Sequence, residues 1–349
     1  ELNAGTGKET TSIYARVIDA HLEQAFDVMA DIVFRPLLSD VDSERAVILE
    51  EIAMYEDDPQ EKVFDVLGEA VFGSHPLGRA IIGRAEVIAN SPVEQIAAFH
   101  RERYAPGNVV IAAAGAVDHD GIVELARSRM RDARDAGSSG FAPAPGDAPR
   151  RVRFEEKDTE QYHVCLGGVG ISRHDDRRFA LRVLDTIFGG TTSSRLFQEI
   201  RERRGLAYTV YSFTSHYADS GQVGLYLGTR GENLEQAAGV IGTELARLQE
   251  DPATPEELTR AKENLKGRVV LALESTGARM NRLGSEVLGE TPLLSLDELV
   301  ARIDAVDLDD LRALAQELWS AERLSAAGIG PRETAFREAL GAIEPALVQ

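Results

Sequence analysis

The chain has 349 residues, 43% of them hydrophobic and 28% charged, the profile of a soluble globular protein long enough for two domains with separate cores. A net charge of −20 and a pI near 4.8 exclude nucleic acid and an anionic membrane as the main partner. No apolar run approaches a membrane span. The single cysteine, Cys165, rules out an internal disulfide and favours a reducing compartment, read as the cytoplasm.

Taken in order, residues 10–18 (TTSIYARVI) carry the branched and aromatic content of a strand. Residues 21–34 place Leu22, Ala25, Phe26, Met29, Ile32 and Val33 on one side of a helix, and Pro36 follows its end. The next stretch, residues 43–59 (SERAVILEEIAMYEDDP), is the most informative. At a helical pitch of about 100° per residue, Val47, Ile48, Ile52, Met54 and Tyr55 gather into one apolar stripe with Glu44 and Glu51 in its middle, while Arg45, Glu50 and Glu56 fall on the flanks or the far side. A carboxylate on a packed helix face is costly unless it is paired, hydrogen-bonded or metal-bound. Two readings stand: buried ion pairs with arginines, or Glu51 ligating a cation with Glu44 in support, since a carboxylate is a normal third ligand of catalytic zinc beside two histidines.

Residues 61–72 and 92–103 predict further helices, 108–114 (NVVIAAA) a buried strand, and 121–134 a helix that closes the first half. The Gly-, Pro- and Ser-rich segment 136–150 reads as a linker between domains 1–135 and 151–349. Strands follow at 151–155 and 161–169, the second holding Cys165 as a small core residue rather than a nucleophile.

The two halves repeat one another. LEQA occurs at 22–25 and 234–237, each time after an alternating strand. Val93, Ile96, Phe99, Tyr104 and Val109 likewise match Leu308, Leu311, Leu314, Trp319 and Leu324. The predicted fold is therefore α+β, two copies of one sheet-plus-helices domain. Glu256 and Glu263 stand opposite Glu44 and Glu51, but point away from their helix's apolar face of Leu258, Ala261, Leu265 and Val269. Only the first copy is thus expected to carry carboxylates on a packed face. The second copy opens with a strand at 162–169 and helices at 175–188 and 194–204, for which the first copy has no counterpart. The expectation is that the chain lacks the opening of its first domain.

Four motifs, ELNAGTGKETTSIYARV, ERAVILEEI, HPLGRAIIGRAEVI and FGGTTSSRLFQEIRERRGLAY, occur in an order and spacing that span nearly the whole chain. Together they resemble the pitrilysin/insulinase family of zinc metallopeptidases, in the branch of mitochondrial processing peptidase and its bacterial relatives. The resemblance implies two domains closing like a clamshell on an unfolded peptide, basic or extended. It implies Glu51 as the third zinc ligand, Glu44 as its acidic support, and Asn3 and Ala4 on a strand that holds substrate backbone by β-augmentation. Arg201 and Tyr208 would reach the substrate carbonyl, and the chain would pair with an identical or similar subunit.

One departure matters. The family's His-x-x-Glu-His motif is absent: the histidines lie at 21, 75, 100, 119, 163, 174 and 216, and no two are three or four apart. The motif is expected in the segment that the first copy lacks, so this chain alone is expected not to hydrolyse peptides. The alternative is a non-catalytic partner or scaffold subunit of a processing-peptidase-like complex. GTGKETTS is not a phosphate loop, because Lys8 is followed by glutamate and the loop leads into a strand. His163, with no ligand at metal spacing, reads as a satisfied or solvent-facing histidine.

Overall fold

β1 (Leu2–Thr6) and β2 (Thr11–Ala15) pair antiparallel, Leu2 opposite Ala15 and Thr6 opposite Thr11. These are the first elements of a computed structural model that describes residues 1–130, 143–146 and 149–348. The remainder of the first half is helical: α1 (Leu22–Phe34), α2 (Val41–Glu56), α3 (Pro59–Phe72), α4 (Ala85–Asn90), α5 (Val93–Arg103) and α6 (His119–Arg129). The start of α3 is fixed by Asp58, whose carboxylate accepts the N–H groups of Gln60 and Glu61 while Pro59 occupies the first helical position.

The second half builds a five-stranded sheet from β3 (Val152–Glu156), β4 (Gln161–Gly170), β5 (Thr209–His216), β6 (Gly221–Arg230) and β7 (Ser325–Gly330). The strand order is β3-β7-β4-β6-β5, with β3 and β7 parallel and the other pairs antiparallel. The helices between them are α7 (Arg178–Phe188), α8 (Leu234–Glu250), α9 (Pro255–Ala272), α10 (Thr276–Leu288), α11 (Leu296–Asp304), α12 (Leu308–Leu318) and, after β7, α13 (Glu333–Ile343). Val164 and Leu166 face one core with Leu184 of α7, Ile241 of α8, Leu314 of α12 and Phe336 of α13. Cys165 and Val169 face a second, with Val63, Leu67 and Val71 of α3. Burial on both faces explains why β4 reads as a continuous apolar run instead of an alternating one.

The chain divides into two compact units: Glu1–Ala53, Ile81–Ala142 and Val270–Leu293 form the first, and Met54–Ala80, Pro143–Val269 and Leu294–Gln349 the second. The division therefore departs from a single cut at the expected linker. Residues 131–142, 147 and 148 of that region lie outside the described residues. Each half gives one helix to the other unit, α3 to the second and α10 to the first.

These two helices are repeat equivalents. Leu67, Gly68, Val71, Phe72, Gly73, Pro76 and Leu77 recur 216 residues on as Leu283, Gly284, Val287, Leu288, Gly289, Pro292 and Leu293. Their environments differ sharply. Leu67, Val71, Phe72 and Leu77 are 0, 1, 3 and 6% exposed, whereas Leu283, Val287, Leu288 and Leu293 are 42, 48, 39 and 55% exposed. Covering an aliphatic or aromatic side chain is worth about 2 kcal/mol, so the second unit gains a term from α3 that the first does not gain from α10.

Several sequence expectations need correction. Residues 108–114 join no ladder; a strand needs a hydrogen-bonded neighbour as well as apolar content, and the only strands described in the first unit are β1 and β2. The helix expected at 194–204 is in part a π-helical turn, Phe197–Glu202. The helix expected at 121–134 runs as α6, and residues 131–134 lie outside the described residues. His163 is buried and satisfied, its Nδ1 lying 2.8 Å from the Tyr226 hydroxyl. Among the described residues no helix is long and apolar enough to cross a membrane.

Candidate functional site

The packed face of α2 is not the one its periodicity suggested. Ile52 is buried and Ile48, Leu49 and Tyr55 are half-buried, while Glu44, Val47, Glu51 and Met54 are exposed. Arg45, expected on a flank, turns inward instead. Its guanidinium donates to the carbonyl oxygens of Ile88 and Ser91, the latter at 2.9 Å, where α4 ends. Unsatisfied carbonyls and the negative end of a helix dipole favour a cation there. The arginine takes the helix face that apolar counting had assigned elsewhere.

Glu44 and Glu51 nonetheless share one face, seven residues and two turns apart. Both are exposed, and neither has an ion-pair or hydrogen-bond partner among the described residues. The reading of buried ion pairs with arginines therefore does not hold among the described residues, and the face that carries both carboxylates is open. Glu256 and Glu263 are exposed as well, so the two copies do not differ in this respect. Glu44 borders a groove of about 460 Å³ whose lining includes Leu38, Val41, Arg45, Ile48 and Ile96.

β1 offers an open edge. The chain ends of the hairpin fix which backbone groups face β2: Glu1 and Arg16 exchange hydrogen bonds of 2.9 and 3.1 Å, and the Gly7 N–H donates to Thr10 O at 2.7 Å. Antiparallel pairs alternate, so Asn3 and Gly5 bond inward to Tyr14 and Ser12. Leu2, Ala4 and Thr6 then turn their N–H and C=O groups outward. The Ala4 N–H, one of these, donates to the Asn3 side-chain Oδ1 at 2.8 Å.

Arg201 and Tyr208 come together in the second unit. The π-helical turn carries Arg201, and Gly205, in the left-handed region at φ +63°, reverses the chain into β5. The guanidinium lies 4.3 Å from the Tyr208 ring centre and 4.8 Å from that of Phe197, and donates to Tyr208 O at 3.2 Å. Tyr208 is 75% exposed.

Sequence reasoning missed Arg195. Its buried guanidinium forks onto Glu257, Nε to Oε1 at 2.9 Å and Nη2 to Oε2 at 2.7 Å, and also donates to Asp251 O. Glu257 closes a capping box at the head of α9 by accepting the Thr254 N–H, while the Thr254 hydroxyl accepts the Glu257 N–H. Burial raises the Glu257 pKa, but the Arg195 and Thr254 hydrogen bonds outweigh it and leave the carboxyl at about 2. The Thr-x-x-Glu spacing was the available signal.

Among the described residues no three His, Cys, Asp or Glu side chains form a group able to hold a metal. Glu51 alone supplies one carboxylate, and a catalytic zinc site takes three protein ligands. The described residues by themselves do not fit a zinc ion.

Residues 1–85 match the family model described as Insulinase (Peptidase family M16), and residues 92–265 match that of the Peptidase M16 inactive domain. A Streptomyces coelicolor protein named as an uncharacterized zinc protease is 43% identical over 340 residues, 95% of this chain and 74% of that protein. The chain belongs to the insulinase family, peptidase family M16. Other family members named as zinc proteases include one of Mycobacterium tuberculosis, 41% identical over 95% of this chain and 77% of its own length, and one of Bacillus subtilis, 37% identical over 92% and 78%. The peptidase M16 inactive domain of Pseudomonas fluorescens shares the fold at TM-score 0.86 and 23% identity, covering 95% of this chain and 81% of that one. A Helicobacter pylori protease does so at TM-score 0.86 and 20% identity, over 95% and 82%.

Proposed function

We propose that the protein is a zinc-dependent endopeptidase that takes unfolded or extended peptide segments. The observation that carries this reading is the 43% identity to a zinc protease over 95% of the chain, a span that includes the open Glu44–Glu51 face of α2 and the Arg201–Tyr208 pair. β1 receives the substrate backbone as an added strand, through the outward groups of Leu2, Ala4 and Thr6. On binding, a substrate carbonyl replaces Asn3 Oδ1 as the acceptor of the Ala4 N–H. Arg201 and the Tyr208 hydroxyl donate hydrogen bonds to a substrate carbonyl oxygen. Glu51 would give one carboxylate to a bound zinc ion, and Glu44 would add negative charge on the same face. Pairing with an identical or similar subunit belongs to the same reading.

A second reading, a non-catalytic scaffold or partner subunit, is favoured by the match of residues 92–265 to a domain described as inactive. Cleavage of an unfolded peptide by the protein expressed from its whole reading frame, with and without a zinc chelator, separates the two. Chelator-sensitive cleavage supports the peptidase; a zinc-free protein that cleaves nothing supports the scaffold.

A further inference from the structure

The turn that leads into β5 carries Arg201, Arg203 and Arg204, and the three are not held alike. The Glu199 carboxylate takes both Arg203 and Arg204, and the Glu199 carbonyl accepts Arg204 Nη1 at 2.8 Å. Arg201 has no such anchor. Its Nε lies 3.8 Å from Glu202 Oε1, beyond hydrogen-bond distance, and its Nη1 donates to Tyr208 O at 3.2 Å. Nη2 has no acceptor among the described residues.

What holds the guanidinium is a pair of rings, with centres 4.3 Å (Tyr208) and 4.8 Å (Phe197) from its central carbon. The two are unequal supports. Tyr208 is exposed and lies beyond the reversal at Gly205. An exposed side chain keeps its own rotamer freedom, so Tyr208 cannot by itself order a second one. Phe197 is half-buried and has the fully buried Leu196 and Ile200 on either side in the helical turn. The backbone beside it is fixed twice over: the Gln198 N–H donates to Ser194 O at 3.0 Å, and the Gln198 side chain to Thr192 O at 2.8 Å. The Arg203 N–H then donates to Gln198 O at 3.0 Å, a five-residue step that makes the turn π-helical. Such turns are rare and concentrate at functional sites. Phe197 opens this one and Arg201 follows four residues later, on the same side. Order therefore runs outward: Leu196 and Ile200 hold the backbone, Phe197 holds the guanidinium, and the guanidinium holds Tyr208.

We propose that Phe197 is a positioning residue, whose ring fixes the Arg201 guanidinium so that Nη2 and the Tyr208 hydroxyl meet one substrate carbonyl oxygen together. In the peptidase reading, on which this rests, Phe197 acts through Arg201 and not on the substrate. It removes the rotamer freedom of a long side chain before the substrate arrives. Donors aligned in advance count most in the transition state, so the effect falls on kcat rather than on KM. A ring face is what the guanidinium needs, and tyrosine supplies one where leucine does not.

The test uses the protein expressed from its whole reading frame, wild type beside Phe197→Leu, Phe197→Tyr and Tyr208→Leu. Side-chain NMR of isotope-labelled arginine reads the mobility of the Arg201 Nε–H group, assigned by its absence from Arg201→Lys. That group is expected to be rigid in the wild type, in Phe197→Tyr and in Tyr208→Leu, which keeps the Tyr208 carbonyl, and mobile in Phe197→Leu. For an unfolded peptide, Phe197→Leu should lower kcat roughly tenfold and change KM by less than about twofold, and Phe197→Tyr should restore kcat. An Arg201 as rigid in Phe197→Leu as in the wild type, or the same kcat in both, overturns the inference. So does an Arg201 loosened as much by Tyr208→Leu as by Phe197→Leu, or a Phe197→Tyr protein as slow as Phe197→Leu, which marks a packing role. A wild type that cleaves no peptide removes the peptidase reading, and the NMR comparison still decides whether Phe197 holds Arg201.

Discussion

The guanidinium of Arg201 lies 4.3 Å from the centre of the Tyr208 ring and donates to the Tyr208 carbonyl at 3.2 Å, so a helical turn and the residue that leads into β5 present two donors as one unit. An exposed cation–π contact is worth about 0.5–1 kcal/mol, too little to matter for the fold. Tyr208→Leu is expected to change stability by less than about 1 kcal/mol and to lower kcat/KM for an unfolded peptide by roughly 100-fold, the usual effect of losing a transition-state donor. Denaturant unfolding beside steady-state cleavage checks the split.

The backbone that presents this pair turns at Gly205. No heavy atom lies within 4 Å of an added Cβ there, so the only penalty for a side chain is its φ of +63°. Gly205→Ala should cost about 1 kcal/mol, read from the urea midpoint at unchanged m-value.

Arg195 and Glu257 form a partly buried pair tied into the α9 cap. Removing one partner leaves the other charge unpaired, and Glu257→Gln is expected to destabilise the second unit by about 3 kcal/mol. The Glu257 carboxyl titrates at about 2 in the fold and near its ordinary value when unfolded. Its stabilising contribution is therefore complete above the ordinary carboxylate range and fades as pH falls toward 2. The wild type should lose stability across that window more steeply than Glu257→Gln, by thermal unfolding at stepped pH.

On β1, the Ala4 N–H faces outward and the Asn3 N–H faces β2. Ala4→Pro removes a donor from the substrate edge without touching the ladder, whereas Asn3→Pro breaks it. The first is expected to raise KM roughly tenfold, the scale of one hydrogen bond at about 1–1.5 kcal/mol, with an unchanged circular dichroism spectrum; the second should lower stability.

Cys165 is fully buried beneath α3, and burial pushes its thiol pKa well up. It should fail to react with a thiol reagent in the native protein and react fully in denaturant.

Much of the fold was legible because it depends on spacing. The run around Cys165 announced a strand with the cysteine in the core, and Leu258, Ala261, Leu265 and Val269 marked the packed side of α9. The face of α2 was not legible. Val47 and Met54 are apolar yet exposed, and Arg45 is charged yet turned inward, because the end of α4 offers it carbonyls that no count of apolar residues registers. Residues 108–114 failed for a different reason: they have a strand's composition, but composition does not supply a neighbour. The Arg201–Tyr208 pair was recognised by resemblance, and the turn at Gly205 supplied its physical basis. The exchange of α3 and α10 between units was written in their shared Leu-Gly and Pro-Leu positions, but only the contrast in burial gave it meaning.

The central claim rests on Glu51. Metal analysis and peptide cleavage by the protein from its whole reading frame, wild type beside Glu51→Gln, test it directly. The account predicts stoichiometric zinc and cleavage in the wild type, and loss of both in the variant. A wild type that holds no zinc, or a variant that keeps its zinc and its cleavage, contradicts it.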